Sequence, residues 1–165
     1  MADTVDAWVA LGANLGERRT ALKAAFTALG TLPHTRLVRH SSLWASPPLD
    51  ADGPDYLNAV ALLQTSLDPF ELLDALQSIE LTQGRTRSYR NAPRTLDLDL
   101  LLHGRAVLDT PTLTLPHPRM TGRAFVLRPL AELAPDLDIP GHGTVQQCLS
   151  RVAEQPCEAI PETST

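Results

Sequence analysis

At 165 residues the chain has room for one domain with a proper core and little room for two. Hydrophobic residues at 43% and charged residues at 20% fit an ordinary globular protein, while aromatics at 4% leave the core to Leu, Val and Ala. A net charge of −5 argues against a nucleic-acid partner, and no apolar run reaches the length of a membrane span.

Ala7-Trp8-Val9-Ala10-Leu11 is a short apolar run that Gly12-Ala13-Asn14-Leu15-Gly16 interrupts. Leu22, Ala25, Phe26 and Leu29 follow at helical spacing, with Gly30 as C-cap, so the opening unit is strand, glycine turn, helix. No Gly-Lys-Ser/Thr occurs anywhere, which excludes a P-loop. A second strand is predicted from Arg36 to Trp44, then a proline-rich loop over Ser46–Asp55, then a third strand over Tyr56–Leu63, antiparallel to the second. Asp68-Pro69-Phe70-Glu71 announces a helix, with Asp68 as N-cap, Pro69 at the first helical position and Glu71 completing a capping box. Leu72, Leu73, Leu76 and Ile79 form its apolar stripe, Gly84 ends it, and Gln77 and Glu80 share its flank with Gly84.

Beyond a basic loop, Pro93–Leu102 reads as a buried strand closed by His103-Gly104, with Val107-Leu108 returning in a hairpin. Prolines from Pro111 to Pro140 then forbid long elements. One or two short helices are predicted within Arg123–Ala134, with Pro129 in the first turn of the second, and Thr144 caps a last helix through Val152. Residues 1–155 are expected to form a single domain and 156–165 a loose tail. Cys148 and Cys157 make no metal-ligand pattern with the histidines, and the N-terminus lacks the basic start and apolar stretch of a signal peptide. A cytoplasmic setting is therefore expected. The order βαββαβ points to an α+β sandwich, an antiparallel sheet with helices on one face.

Two acids interrupt the leucine-rich strand at positions two apart. Asp97 and Asp99 point one way while Leu96, Leu98 and Leu100 point the other, with the two Cα atoms roughly 6.5–7 Å apart. Like charges side by side on a strand are unfavourable unless something positive lies between them, so the pair reads as a metal site rather than a solvated edge. Arg85, Arg87, Arg90 and Arg94 stand just upstream. Guanidiniums beside metal-holding carboxylates are the arrangement expected around a polyphosphate, and magnesium suits oxygen ligands of this kind.

In these residues and their spacing the chain resembles the 6-hydroxymethyl-7,8-dihydropterin pyrophosphokinases of folate biosynthesis. The resemblance runs from Ala10-Leu11-Gly12-Ala13-Asn14-Leu15-Gly16 to about Pro135. It takes in Pro47-Pro48-Leu49, Asp55-Tyr56-Leu57-Asn58-Ala59, Ile79-Glu80 with Gln83-Gly84-Arg85, Pro93 through Asp99, and Pro116-His117-Pro118-Arg119-Met120 with Arg123 and Phe125. It implies a ferredoxin-like fold and transfer of the β,γ-pyrophosphoryl group of ATP to the hydroxymethyl oxygen of the dihydropterin, releasing AMP. ATP enters as co-substrate with two magnesium ions, and the partners are small molecules, with no membrane and a monomeric chain.

The same resemblance assigns residues. Asp97 and Asp99 hold the two metals; Arg85, Arg94, His117 and Arg123 contact the phosphates and carry catalysis; Gln77 and Thr114 contact the nucleotide. Phe125 and Tyr56 take the aromatic positions of the pterin pocket with Phe125 as the stacking partner, Asn58 meets the pterin edge, and Ser46, Pro47 and Leu49 offer backbone groups. The chain departs from some members at Asn91, Thr112 and Pro118, which stand where those members carry tryptophan, arginine and tyrosine. Two rivals fit less well. An RNA-binding module of the same fold wants a basic, aromatic sheet face. A nucleotide-sugar transferase with an Asp-x-Asp pair wants a doubly wound nucleotide domain.

Overall fold

The computed structural model describes residues 3–13, 18–47, 56–84 and 96–160. Strand β1 (Val5–Ala13) alternates cleanly: Ala7, Val9, Leu11 and Ala13 enter one core, and Trp8 and Ala10 enter another. Gly12 lies within this strand and does not start the turn. Helix α1 (Arg18–Gly30) buries Leu22, Ala25, Phe26 and Leu29 on the first of these cores.

The predicted second strand is two strands, β2 (Thr35–His40) and β3 (Trp44–Ser46). The break falls at Ser41, whose hydroxyl accepts the N–H of Val60 at 3.0 Å and donates to the carbonyl of Ser42 at 2.8 Å. A side chain here replaces a backbone partner, so the ladder stops and restarts. Strand β4 (Tyr56–Thr65) is buried along most of its length and pairs antiparallel with β1, β2 and β3.

Helix α2 (Pro69–Ile79) begins as predicted. Asp68 Oδ1 accepts the N–H of Glu71 at 2.8 Å, and Glu71 Oε1 accepts the N–H of Asp68 at 2.9 Å. A π-helical turn, Glu80–Gly84, continues it. Strand β5 (Asp97–His103) is antiparallel to β1, and the upstream part of the predicted strand lies outside the described residues.

β6 (Leu108–Asp109) forms its hairpin with β7 (Thr114–Leu115) rather than with β5. Then α3 (Ala124–Leu133) runs as one helix with Pro129 inside it, because Val126, Leu127 and Leu130 bury a face long enough to carry the missing hydrogen bond. A small ribbon of β8 (Asp138–Ile139) and β9 (Gly143–Thr144) precedes α4 (Val145–Ser150), which Thr144 caps. The tail is not loose throughout: Cys157 is buried, and β10 (Glu158–Ala159) adds to β3. The unpaired outer edge of β3 supplies the hydrogen bonds that order it.

The sheet runs β10-β3-β4-β1-β5, with β2 also on β4, so the βαββαβ core is ferredoxin-like as expected. Cover is two-sided, however. Helices α1 and α2 close one face, while α3 and α4 close much of the other. The central strands are apolar on both faces, so a one-sided layer would leave Trp8, Val60 and Leu62 in water. Among the described residues no helix is long and apolar enough to cross a membrane.

Candidate active site

Register assembles the site. Trp44, Asn58, Gly12 and Asp97 stand in one row across β3, β4, β1 and β5, and Val60, Ala10 and Asp99 stand in the next. Gly12 and Ala10 are small residues on this face of β1, so the middle of both rows is low. Above this floor is a cavity of about 170 Å³. Ser46, Pro47, Tyr56 and Asn58 line one side of it, with Asp97, Asp99, Arg123 and Phe125 on the other.

Asn58 is 4% exposed, and its amide is placed by its neighbours. Nδ2 donates to Ser46 Oγ at 2.8 Å and, at 3.4 Å, to the carbonyl of Trp44, which leaves Oδ1 over Gly12. Asp97 is half-buried and Asp99 exposed, both on the cavity side of β5. Between them, Leu98 turns into the opposite core, and its N–H is accepted by the buried carboxylate of Glu80 at 2.7 Å. Glu80 thus fixes the outer edge of β5 at the midpoint of the acidic pair.

Arg123 is the N-cap residue of α3 but offers no capping side chain. Gln155 supplies the missing acceptor: its Oε1 takes the N–H of Ala124 at 2.9 Å, while its Nε2 donates to the carbonyl of Gly122 at 3.1 Å. The backbone on both sides of Arg123 is thereby held. The guanidinium lies 5.4 Å from the centroid of the Phe125 ring, within cation–π range.

A second cavity of about 230 Å³ lies along the outer edge of β5 and includes Asp99, Thr114 and His117. Asp99 therefore belongs to both cavities. The N–H of His117 donates to the carbonyl of Leu101 at 2.9 Å, and His117 Nδ1 accepts the N–H of Arg119 at 3.1 Å. An Nδ1 acceptor leaves the proton of the neutral ring on Nε2. Burial lowers the pKa of His117 below its ordinary value; Asp99 opposes this, and Arg123 and Arg119 add to the lowering.

Of the residues singled out in the sequence, Gln77 is exposed on α2 and lines neither cavity, although Leu73 of the same helix lines the second. Leu49, Arg85 and Arg94 lie outside the described residues. A two-carboxylate site fits magnesium, which keeps several waters and takes substrate phosphate oxygens as further ligands. Among the described residues no group of three or more acidic, His or Cys side chains gathers to cage a metal unaided.

Residues 8–135 match the family model of 7,8-dihydro-6-hydroxymethylpterin-pyrophosphokinase (HPPK). The chain belongs to this family. A Pseudomonas aeruginosa pyrophosphokinase, named for 2-amino-4-hydroxy-6-hydroxymethyldihydropteridine, is 52% identical over 155 residues, covering 93% of this chain and 96% of the relative. A Haemophilus influenzae protein of the same name is 44% identical over 151 residues, covering 91% and 94%. Among solved structures, Plasmodium falciparum HPPK-DHPS wild type with pteroate superposes with a TM-score of 0.74 at 12% identity. The match covers 92% of this chain and 45% of that one, so this HPPK chain spans under half of the Plasmodium protein, and the likeness there is one of fold.

Four residues that shape the site were given no role in the sequence, and they differ in how far it signalled them. The small residues Ala10 and Gly12 were legible, since they alternate with the large Val9 and Leu11 on β1. Glu80 also left a trace: it follows Leu76 by one helical turn and so continues the apolar stripe. Gln155, some thirty residues from its partners, left none.

Proposed function

We propose that the chain transfers the β,γ-pyrophosphoryl group of ATP to the hydroxymethyl oxygen of 6-hydroxymethyl-7,8-dihydropterin. That oxygen gives up its hydroxyl proton to solvent and attacks the β-phosphorus, the bond from the β-phosphorus to the oxygen bridging it to the α-phosphate breaks, and AMP leaves. The observation that carries the reading is the place of Asp99, which lines both the cavity floored by Ala10 and Gly12 and the cavity holding Thr114 and His117. Two substrates in two cavities meet at the acidic pair.

In this reading the pterin occupies the first cavity. Its ring stacks on Phe125, its edge meets Asn58, and Tyr56, Ser46, Pro47 and Leu49 complete the slot; with Nδ2 committed to Ser46 and Trp44, Asn58 offers Oδ1 as the acceptor for an N–H of the pterin edge. ATP occupies the second, with Gln77 and Thr114 toward the nucleoside and Arg85, Arg94, His117 and Arg123 on the phosphates. Asp97 and Asp99 would hold two magnesium ions, which when bound supply positive charge to the phosphate and attacking oxygens. Arg123 lines the first cavity and its charge acts on His117 of the second, with its backbone already held by Gln155. His117 presents a neutral Nε2–H, a donor to a phosphate oxygen at no cost of charging. Such preorganised partners for developing charge are the main resource in phosphoryl transfer.

A monomer is proposed as the acting unit and residues 1–155 as its catalytic domain, with Glu158–Ala159 extending the sheet. The nucleotide substrate supports a cytoplasmic setting. The test is an incubation with ATP, magnesium and the hydroxymethyl dihydropterin, followed by nucleotide analysis. AMP in step with pterin diphosphate is expected; ADP as product, or turnover unaffected by chelation of magnesium, would sink the reading.

A further inference from the structure

One carboxylate away from the reacting groups gathers an unusual set of donors. Glu132, in the last turn of α3, accepts the N–H of Ser42 at 3.0 and 3.2 Å on its two oxygens. It also accepts the Ser42 hydroxyl at 3.0 Å and Trp44 Nε1 at 3.0 Å. Beside it, Arg39 Nη2 donates to the carbonyl of Leu133 at 2.9 Å. All of these donors lie in or beside the break between β2 and β3, so they tie the C-terminal end of α3 to the strand that carries Ser46.

Both sides of the first cavity hang from this tie. Phe125 and Glu132 are seven residues apart on one helix, two turns, which puts them on the same side roughly 10 Å apart. On the strand side, Trp44 stands directly opposite Asn58, and its carbonyl receives the Asn58 amide. A closed circuit results: Phe125, the body of α3, Glu132, Trp44, Asn58, and back across the slot. Burial of Val126, Leu127 and Leu130 already holds α3 on the sheet, but apolar contact is not directional. Charge-assisted hydrogen bonds are, and they fix where the helix sits along its own axis.

We infer that Glu132 is a positioning residue that sets the gap between Phe125 and the Ser46–Asn58 edge, and with it the fit of the pterin. The inference rests on the pterin reading above. The experiment compares wild type, Glu132→Ala, Glu132→Gln and Trp44→Phe, measuring KM for each substrate, kcat and melting temperature. The alanine variant is expected to raise KM for the pterin about tenfold with KM for ATP nearly unchanged, on the scale of a small misplacement of a binding group. Gln, which keeps one acceptor, and Phe, which removes one donor, are expected to fall between. In a Trp8→Phe background the emission of Trp44 is expected to shift when Glu132 becomes Ala, reporting loss of the indole bond. An unmoved pterin KM in the Gln and Phe variants, or equal losses for both substrates, would overturn the inference and leave Glu132 a fold contact. A wild-type chain that makes no AMP would instead overturn the pterin reading and this inference together.

Discussion

The two faces of the central sheet are made of alternate residues of the same strands, and their fates are opposite. Toward α1 and α2 the face is Ala7, Val9, Leu11, Leu63, Leu98 and Leu100, closed from end to end. Toward α3 and α4 it is apolar only at one end, through Trp8, Val60, Leu62, Leu101 and Leu102. At the other end the same strands present Gly12, Asn58, Asp97 and Asp99, where α3 begins instead of covering. Incomplete cover is what makes the site. A carboxylate at the closed face needs a partner, as Glu80 has in the N–H of Leu98, whereas at the open end water and ligand reach the acids.

The contrast predicts that damage separates by face. Replacing Asp97 or Asp99 by Ala is expected to lower AMP formation by about 10³-fold, the scale of removing a preorganised electrostatic partner. For Asp99→Ala the melting temperature should hold or rise, since two like charges on one strand face become one. Loss of folding in either variant would mean the acids are structural and the faces are not independent. Leu63→Ala is the converse. A fully buried leucine on the closed face is expected to cost about 3 kcal/mol in chemical denaturation. Activity per folded molecule should survive; a collapse of activity at full folding would break the division.

His117 sharpens the comparison at the boundary, with the smallest effect. Its folded pKa lies below the ordinary 6.5, first through burial and then through Arg123 and Arg119, with Asp99 opposing. The unfolded chain therefore binds this proton more readily. Its share of stability is fully present above pH 6.5 and is lost as pH falls from there through the folded value. His117→Gln is expected to flatten the denaturation midpoint across that window; an unaltered pH profile would show that the ring is solvated.

Much of this was legible in residue order. Helix α2 was announced by its capping box, and the alternation of Leu96 to Leu100 gave the facing of the two acids before any coordinates. What escaped was non-local. Nothing near Ser41 says that its hydroxyl will meet the N–H of Val60 and split a strand. The two-sided cover depends on prolines not preventing α3, which tertiary burial decides. The tail's order depends on an edge that only the assembled sheet presents. Gln155 shows the limit most plainly, since a helix that lacks its own cap borrowed one from the far end of the domain.

Strand β5 carries one residue more than β1 can match: Trp8 faces Leu102 and Val9 faces Leu100, with Leu101 as the extra member. The surplus residue puts Leu101 and Leu102 in the same core, and its carbonyl is the one that receives the N–H of His117. Residue count thus sets the phase of two loops at once. The segment from Asp99 to His103 should accept exchanges of one apolar side chain for another far better than the loss or gain of a single residue, because a change in length moves the imidazole relative to the carboxylates even where every remaining side chain is kept.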